Sequence, residues 1–415
     1  MAAAGLTLLT QVLLARSMSV TDFGHMTQAL AFIAVATPFA GFGVDALLLK
    51  LFGLYGWHAV AWMPAIIKYI SISVGFVALA ALVSGFFWMI SHSEFLLVLF
   101  LIPTILGSLS SGIVGAKFQL EEKFASLSAW SSLSAFFRCL WVAVLSIIFT
   151  ERLNSVWVAL GYSFVAMVLT AYACRALMQM RIGNFFLKGH GEYLKPDDGA
   201  FNEGSLSVAV KSSVFGLSGI FYLIYYQSNI LILGRLVSGA AVGIYSVAAL
   251  LVGATYLFPV VVFQKFLLPR LHRWTNENME QIKEIYWLGT LGMAISGVFA
   301  SLVIFLGSPF VVEFLFGVEY KNSLAILNVL VFCVPARFIS SSADAVLTSG
   351  SQLHKKVQIQ FAAAFFIVIL GFLYIPDGGE KMAAYLAVAT EVMMALALHG
   401  AAWRYLYIKS NKNSH

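Results

Sequence analysis

Predominantly apolar stretches of about 18 or more residues recur along the whole of this chain. A helix rises 1.5 Å per residue, so each stretch is long enough to cross a hydrocarbon core about 30 Å thick. Hydrophobic residues make up 60% of the 415 residues and charged residues only 11%, a balance that excludes a soluble globular fold. The sequence therefore predicts an all-α polytopic membrane protein.

Hydropathy and helix-breaking residues together predict twelve membrane spans. They lie near 2–15, 27–49, 66–90, 94–115, 125–149, 155–179, 211–234, 241–265, 284–307, 324–347, 356–375 and 383–406. The first span is short and opens on "MAAAGLTLL" without a basic flank. We therefore expect that residues preceding it are missing.

The distribution of basic residues predicts the orientation. With twelve spans and a cytoplasmic amino terminus, eighteen of the 25 Lys and Arg residues fall on the cytoplasmic side and five on the opposite side. The remaining two, Arg138 and Arg337, lie within spans. Cytoplasmic loops are enriched in Lys and Arg, so both termini are predicted to be cytoplasmic. The sequence pI of about 9.1 reflects these separate loop charges rather than a nucleic-acid-binding patch.

The longest polar stretch, 181–207, divides the spans into a bundle of six over 1–180 and a second over 208–415. A repeat supports this division. "ARSMSVTDFGHMTQAL" and "GRLVSGAAVGIYSVAAL" share Arg, Ser, Gly and Ala at the same spacing, each at the end of an odd-numbered span. Chance or shared turn chemistry is the alternative explanation. A parallel repeat of this kind is typical of transporters whose substrate site lies between two halves.

Arg138 lies in the middle of the fifth predicted span, without an acidic residue on the same helix. A charge at mid-bilayer is costly, so such residues normally face a wet cavity or a partner. Ser131, Ser134, Arg138 and Trp141 share one helical face. We interpret Ser134, Arg138 and Trp141 as substrate-binding; a snorkelling arginine or a structural ion pair is the alternative.

Further polar residues suit an anionic, glycosylated substrate. Arg337 is the second mid-span guanidinium, and the planar fork of arginine donates to phosphate through two nitrogens. A snorkelling side chain, or a structural pair with a buried acid such as Asp344, Asp45 or Glu391, is the alternative. Lys211 lies at a predicted cytoplasmic span end and extends the positive charge toward the substrate. Gln227 and Asn229 are candidates for hydrogen bonds to sugar hydroxyls or to a neighbouring helix.

Three acidic residues lie within predicted spans: Asp45, Asp344 and Glu391. A desolvated carboxylate can exchange a proton or hold sodium as access alternates, which makes them candidates for ion coupling; a plain salt bridge is the alternative. The chain has no Walker loop, no nucleophile elbow and no metal-ligand spacing. The sequence therefore predicts no enzyme activity, no cofactor and no metal site.

Three stretches carry a family resemblance: "LLARSMSVTDFGHMTQALAF" into "GFGVDALLLK", then "ILILGRLVSGAAVGIYSVAALLVGATYLFPVVVFQKFLLPRL", then "PFVVEFLFGVEYKNSLAILNVLVF" into "RFISSSADAVLTSG". On these the chain resembles the polysaccharide exporters of the multidrug, oligosaccharidyl-lipid and polysaccharide superfamily, and especially the O-antigen flippases. One departure is Asn229, which stands where many relatives carry an acid before the Gly of "ILILG".

The resemblance implies two six-helix bundles forming a V around a cationic cavity in the bacterial inner membrane. It also implies alternating-access transfer of an undecaprenyl diphosphate-linked oligosaccharide from the cytoplasmic to the periplasmic leaflet. A polysaccharide polymerase and chain-length machinery are the protein partners it suggests. Two rival functions are a cation-coupled multidrug exporter of the same superfamily and a membrane-embedded glycan polymerase or ligase. Mid-span arginines argue against the first, and the absence of a large extracytoplasmic loop argues against the second.

Overall fold

The computed structural model describes residues 2–149, 152–191, 193, 204–267, 279–349 and 352–412, which contain helices and no strand. The helices are α1 (Ala2–Ser17), α2 (Val20–Ala36), α3 (Val44–Tyr55), α4 (Met63–Trp88), α5 (His92–Leu101), α6 (Pro103–Leu120), α7 (Phe124–Ile148), α8 (Ser155–Arg181), α9 (Ser205–Leu236), α10 (Gly239–Thr255), α11 (Met279–Phe316), α12 (Ser323–Leu330), α13 (Cys333–Ser349) and α14 (Leu353–Lys412). A 3₁₀ segment, Gly56–Trp62, follows α3, and a π-helical segment, Val260–Leu267, follows α10 after a single short turn. The prediction of an all-α fold is confirmed.

Nine helical stretches within the described residues are long and apolar enough to cross a membrane. Two of them, Val20–Trp88 and Leu353–Tyr407, are long enough to contain two predicted spans each. The first predicted span corresponds to the shorter apolar helix Ala2–Ser17. Every span predicted from hydropathy therefore overlaps helical structure, although the second one, 27–49, is interrupted between α2 and α3. The chain is a multi-pass membrane protein.

The chain forms two compact units. The first contains Met1–Met18 and Gln28–Leu223, and the second contains Ser19–Thr27 and Ile224–His415. Helices α2 and α9 each contribute residues to both units. The predicted linker 181–207 is described only in part, because 192 and 194–203 lie outside the described residues. The six-and-six division with the boundaries 1–180 and 208–415 therefore stays a prediction.

Small residues bring helices α6 and α8 of the first unit close together. Gly107 on α6 faces Ala166 on α8 so closely that a side chain on the glycine would collide with it. One turn further along, the Ser110 hydroxyl donates to the Thr170 hydroxyl over 3.2 Å. Lipid tails are as apolar as leucine, so membrane helices associate through such close packing and hydrogen bonding rather than through the hydrophobic effect.

Two helices that carry the repeated sequence motifs, α2 and α10, cross each other in the second unit. Gly24 on α2 contacts the backbone of Gly239 and Gly243 on α10, so closely that no side chain fits at Gly24. Gly24 and Gly243 occupy equivalent positions of the two motifs predicted to be a repeat. The shared glycine therefore has a packing function, because it lets the two motifs approach each other.

Helix α14 reverses direction within its length. Gly379 has φ 58° and ψ −149°, a conformation that residues with a side chain rarely adopt, and Pro376 precedes it. Residues 353–378 and 380–412 form the two limbs on either side of this turn. The turn falls between the eleventh and twelfth predicted spans.

Large apolar side chains on several helices point away from the protein. Phe76, Ile147 and Phe310 are 72%, 77% and 72% exposed, respectively. An apolar surface of this extent is unfavourable in water and favourable against lipid tails. The outer faces of α4, α7 and α11 therefore fit a hydrocarbon environment.

Candidate anion-binding site

The guanidinium of Arg138 lies on helix α7, over the ring of Tyr162 on α8. The distance from its central carbon to the ring centroid is 4.9 Å, which is within the range of a cation–π contact. Tyr162 is buried, whereas Arg138 is half-buried. The tyrosine therefore supports one face of a guanidinium that keeps part of its surface open.

Arg138 has no carboxylate partner in the part of the chain that the structure describes. Its Nε is buried and has no hydrogen-bond acceptor there. A buried donor without an acceptor costs about 1–3 kcal/mol, more when it is charged. An anionic ligand would supply acceptors to this side chain, so the arrangement is suited to binding one.

Trp141 connects α7 to α8. Its indole N–H donates to the carbonyl oxygen of Trp157 over 3.0 Å, and its ring lies directly against Gly161, where a side chain would overlap it. Trp141 was predicted to bind substrate. These contacts hold the two helices together one turn beyond Arg138, and they place Tyr162, the neighbour of Gly161, beneath the guanidinium.

Ser134 and Lys211 are the other predicted substrate contacts of the first unit. Ser134 is half-buried one turn before Arg138 on α7. Lys211 lies on α9, with its Nζ 4.0 Å from the ring centroid of the buried Trp62. The structure therefore brings Ser134 near Arg138 along one helix, and it places Lys211 in a separate cation–π contact.

Arg337 belongs to a buried polar network in the second unit. Its Nη1 donates to the Tyr225 hydroxyl over 2.6 Å and lies 3.9 Å from Oε2 of Glu391. The Tyr225 hydroxyl in turn donates to Oε1 of Glu391 over 3.3 Å. The side chains of Arg337 and Glu391 are 22% and 6% exposed, respectively. This geometry supports the alternative in which Arg337 and Glu391 form an ion pair that joins α13, α9 and α14.

Asn229 is 2% exposed and also joins helices of the second unit. Its Nδ2 donates to the Tyr245 hydroxyl over 3.0 Å and to the carbonyl oxygen of Ala383 over 2.9 Å. This supports the alternative of a hydrogen bond to neighbouring helices rather than to a sugar. Gln227, two residues earlier on α9, is half-buried.

The two other acidic candidates differ in environment. Asp344 on α13 forms an ion pair with Lys356 on α14, with Oδ1 2.8 Å from Nζ. Asp45 is exposed in the first turn of α3, where it faces Gly112 on α6. Two of the three candidates for ion coupling, Asp344 and Glu391, are thus neutralised by a basic side chain.

Comparison with known proteins gives the family. Residues 1–275 match the family described as polysaccharide biosynthesis protein. The chain belongs to this family. No curated protein matches the sequence. The family member is nevertheless similar in fold to several solved transporters.

One similar structure is lipid II flippase MurJ in an inward closed conformation, with a TM-score of 0.72 and 12% identity over 96% of this chain and 85% of the other. An inward-facing multidrug resistance MATE family transporter of the MOP superfamily has a TM-score of 0.72 and 11% identity, over 99% of this chain and 96% of the other. The MATE multidrug transporter DinF-BH has a TM-score of 0.64 and 12% identity over 98% and 93%. At these identities the likeness shows the fold alone, which this chain shares with these three structures.

Two tyrosines that contact the mid-span arginines of this family member were not predicted from the sequence. Tyr162 supports the guanidinium of Arg138, and Tyr225 accepts a hydrogen bond from Arg337. Both lie in apolar spans, where a tyrosine is unremarkable by itself. Each becomes informative only when a buried arginine is known to be next to it, because the aromatic face or the hydroxyl then compensates part of the desolvation.

Proposed function

We propose that this protein is a flippase that transfers an undecaprenyl diphosphate-linked oligosaccharide from the cytoplasmic to the periplasmic leaflet of the bacterial inner membrane by alternating access. Membership of a polysaccharide biosynthesis family and the transporter fold support this proposal. The observation that carries it is Arg138, a half-buried guanidinium in the middle of a membrane-spanning helix, without a carboxylate partner among the described residues.

The diphosphate would bind Arg138. A guanidinium donates through a planar fork that matches two phosphate oxygens, and it is less strongly hydrated than an ammonium group. Tyr162 supports the guanidinium through a cation–π contact, and Ser134 offers a hydroxyl one turn away. Arg337 would contribute in the second unit only by exchanging Glu391 for the anion, since the carboxylate lies 3.9 Å from its Nη1.

A cation-coupled multidrug exporter is the second candidate, because MATE transporters share the fold. Such a protein needs free carboxylates to attract a cationic drug. Glu391 and Asp344 are already neutralised by Arg337 and Lys356, whereas the guanidinium of Arg138 is not neutralised by any described carboxylate. The charges therefore favour an anionic substrate. A transporter, rather than an enzyme acting on glycans, is the function that the fold supports.

Reconstitution tests the proposal directly. Proteoliposomes containing the protein and a fluorescent polyprenyl diphosphate disaccharide should expose the inner-leaflet lipid to an impermeant quencher, because the protein transfers it between leaflets. Empty liposomes provide the baseline, and ethidium transport by the same vesicles tests the multidrug alternative. Transport of ethidium without transfer of the diphosphate lipid would reject the flippase.

Orientation is tested by labelling with an impermeant thiol reagent. Lys188 and Asp377 are both exposed, so cysteines at these positions are accessible. The proposed topology, with cytoplasmic termini, predicts that Lys188→Cys reacts only from the cytoplasm and Asp377→Cys only from the periplasm. The native Cys174 is exposed and must be replaced in the parent. Labelling of both positions from the same side would contradict the twelve-span topology.

A further inference from the structure

A cavity of about 330 Å³ lies in the second unit, between the two limbs of α14. Lys355 contributes to its wall from the first limb, and Ala397, Gly400, Ala401 and Arg404 contribute from the second. The turn at Gly379 brings these positions together, because they lie nearly equal distances before and after it. The cavity is referred to here as the α14 groove.

Small residues leave room along one face of the second limb. Ala397, Gly400, Ala401 and Arg404 follow the i, i+3, i+4, i+7 spacing of a single helical face. A side-chain carbon built at Gly400 meets no atom within 4 Å, so the groove is open there. Three small residues thus form a floor that ends at a guanidinium.

The groove adjoins an apolar surface that suits lipid. Leu396 and Trp403, which flank the floor on the same limb, are 71% and 51% exposed, respectively. Tryptophan is enriched where membrane helices pass from hydrocarbon to headgroups. The groove therefore lies at the end of a spanning helix, with an apolar path leading away from it.

Two cations of the groove are not neutralised by a described carboxylate. Lys355 and Arg404 have no such group within ion-pair distance in the residues that the structure describes, whereas nearby Lys356 is paired with Asp344. Arg404 is exposed and Lys355 is half-buried, so both remain accessible. Lys356 thus forms an ion pair within the protein, while Lys355 and Arg404 face an open cavity.

We propose that the α14 groove binds the phosphate group of an anionic membrane lipid, with Lys355 and Arg404 as the two cationic contacts. The small residues admit the headgroup, and the hydrocarbon chain leaves over the apolar surface at Leu396 and Trp403. Basic pockets between membrane helices bind lipid phosphates in this manner, and arginine supplies two donors to one phosphate. This inference does not depend on the flippase function.

Native mass spectrometry of the purified protein tests the site. Phosphatidylglycerol should be retained by the wild type, and phosphatidylcholine, with no net charge, should be retained much less. The double variant Lys355→Gln/Arg404→Gln should weaken phosphatidylglycerol retention by about thirtyfold, since each cation near a lipid phosphate is worth about a fivefold change in affinity. The charge control is Arg175→Gln/Arg181→Gln, which removes two exposed cations from α8 and should leave retention unchanged.

A second variant tests the shape of the groove independently of charge. A side-chain carbon added at Gly400 meets no protein atom within 4 Å, so Gly400→Leu should fill the floor and reduce lipid retention, although both cations remain. Gly292→Leu is its matched control, since Gly292 on α11 is also exposed with no atom within 4 Å of an added side-chain carbon. Equal retention by the wild type, the double variant and Gly400→Leu would overturn the proposal.

Two lipids can supply the phosphate, and a parallel titration separates them. Loss of phosphatidylglycerol retention in the double variant would identify the groove as a site for structural phospholipids. Loss of polyprenyl diphosphate alone would identify it as a docking site for a transported lipid. Equal retention of phosphatidylcholine and phosphatidylglycerol by the wild type would show that the groove does not select a lipid of net negative charge and would overturn the proposal.

Discussion

Arg138→Ala should reduce transfer of the lipid-linked oligosaccharide by about 10- to 150-fold, because a hydrogen bond to a charged group contributes about 1.5–3 kcal/mol. The amount of protein in the membrane should stay near normal. Arg138 has no carboxylate partner among the described residues, so its removal strands no opposite charge. Transfer is measured by complementation of a flippase-null strain and in proteoliposomes, and abundance by immunoblot of the membrane fraction.

Arg138→Lys separates the charge of this residue from its shape. Lysine keeps the positive charge but loses the planar fork that donates to two phosphate oxygens, so transfer should be intermediate. Low abundance of Arg138→Ala would instead indicate a structural ion pair. An active and abundant Arg138→Ala protein would show that Arg138 neither binds phosphate nor forms a structural ion pair. Arg138 would then be a snorkelling side chain whose loss is tolerated.

Arg337→Ala, in contrast to Arg138→Ala, should lower the amount of protein in the membrane. The change leaves Glu391, whose side chain is 6% exposed, without its cation. Breaking a buried ion pair on one side costs about 3–5 kcal/mol, which is a large part of the total stability of about 5–15 kcal/mol typical of a protein. Membrane immunoblots and thermal unfolding in detergent measure this loss.

The double variant Arg337→Ala/Glu391→Ala is the decisive control for the ion pair. Removing both charges together should restore most of the abundance, because no buried charge is then left unpaired. Lys356→Ala provides a second comparison; its partner Asp344 is 23% exposed, so a smaller loss is expected. An Arg337→Ala protein that is abundant but inactive would argue for direct substrate binding by Arg337 and against a structural pair.

The spans could be predicted from the sequence because the bilayer restricts the choices. A helix that crosses hydrocarbon must be apolar for about 20 residues and must satisfy its own backbone hydrogen bonds. The absence of an acidic residue on the same helix as Arg138 could also be read from the sequence. Both inferences use only properties of a single helix, and such properties can be read along the chain.

Contacts between helices could not be predicted in the same way. Arg337 and Tyr225 are 112 residues apart, and the sequence does not indicate which of several acids would face the guanidinium. Asp344 lies two turns from Arg337 on the same helix, yet it pairs with Lys356 on α14. The packing of Trp141 against Gly161 of the next helix was likewise not evident from the sequence, and its binding of substrate stays a prediction. Such contacts depend on how each helix is rotated about its axis and on which helices lie next to it.

The Arg337 network also has a consequence for the order in which the protein is made. The chain is synthesised from the amino terminus, so α13 carries Arg337 into the membrane before Glu391 on α14 has left the ribosome. An unpaired arginine at the centre of a span opposes insertion by about 2.5–3.5 kcal/mol. Tyr225 on α9 has been synthesised by then, and its hydroxyl lies 2.6 Å from Arg337 in the folded protein. We therefore expect this tyrosine to be the first of the network's partners to receive Arg337 during biogenesis, with the carboxylate arriving later to complete the pair.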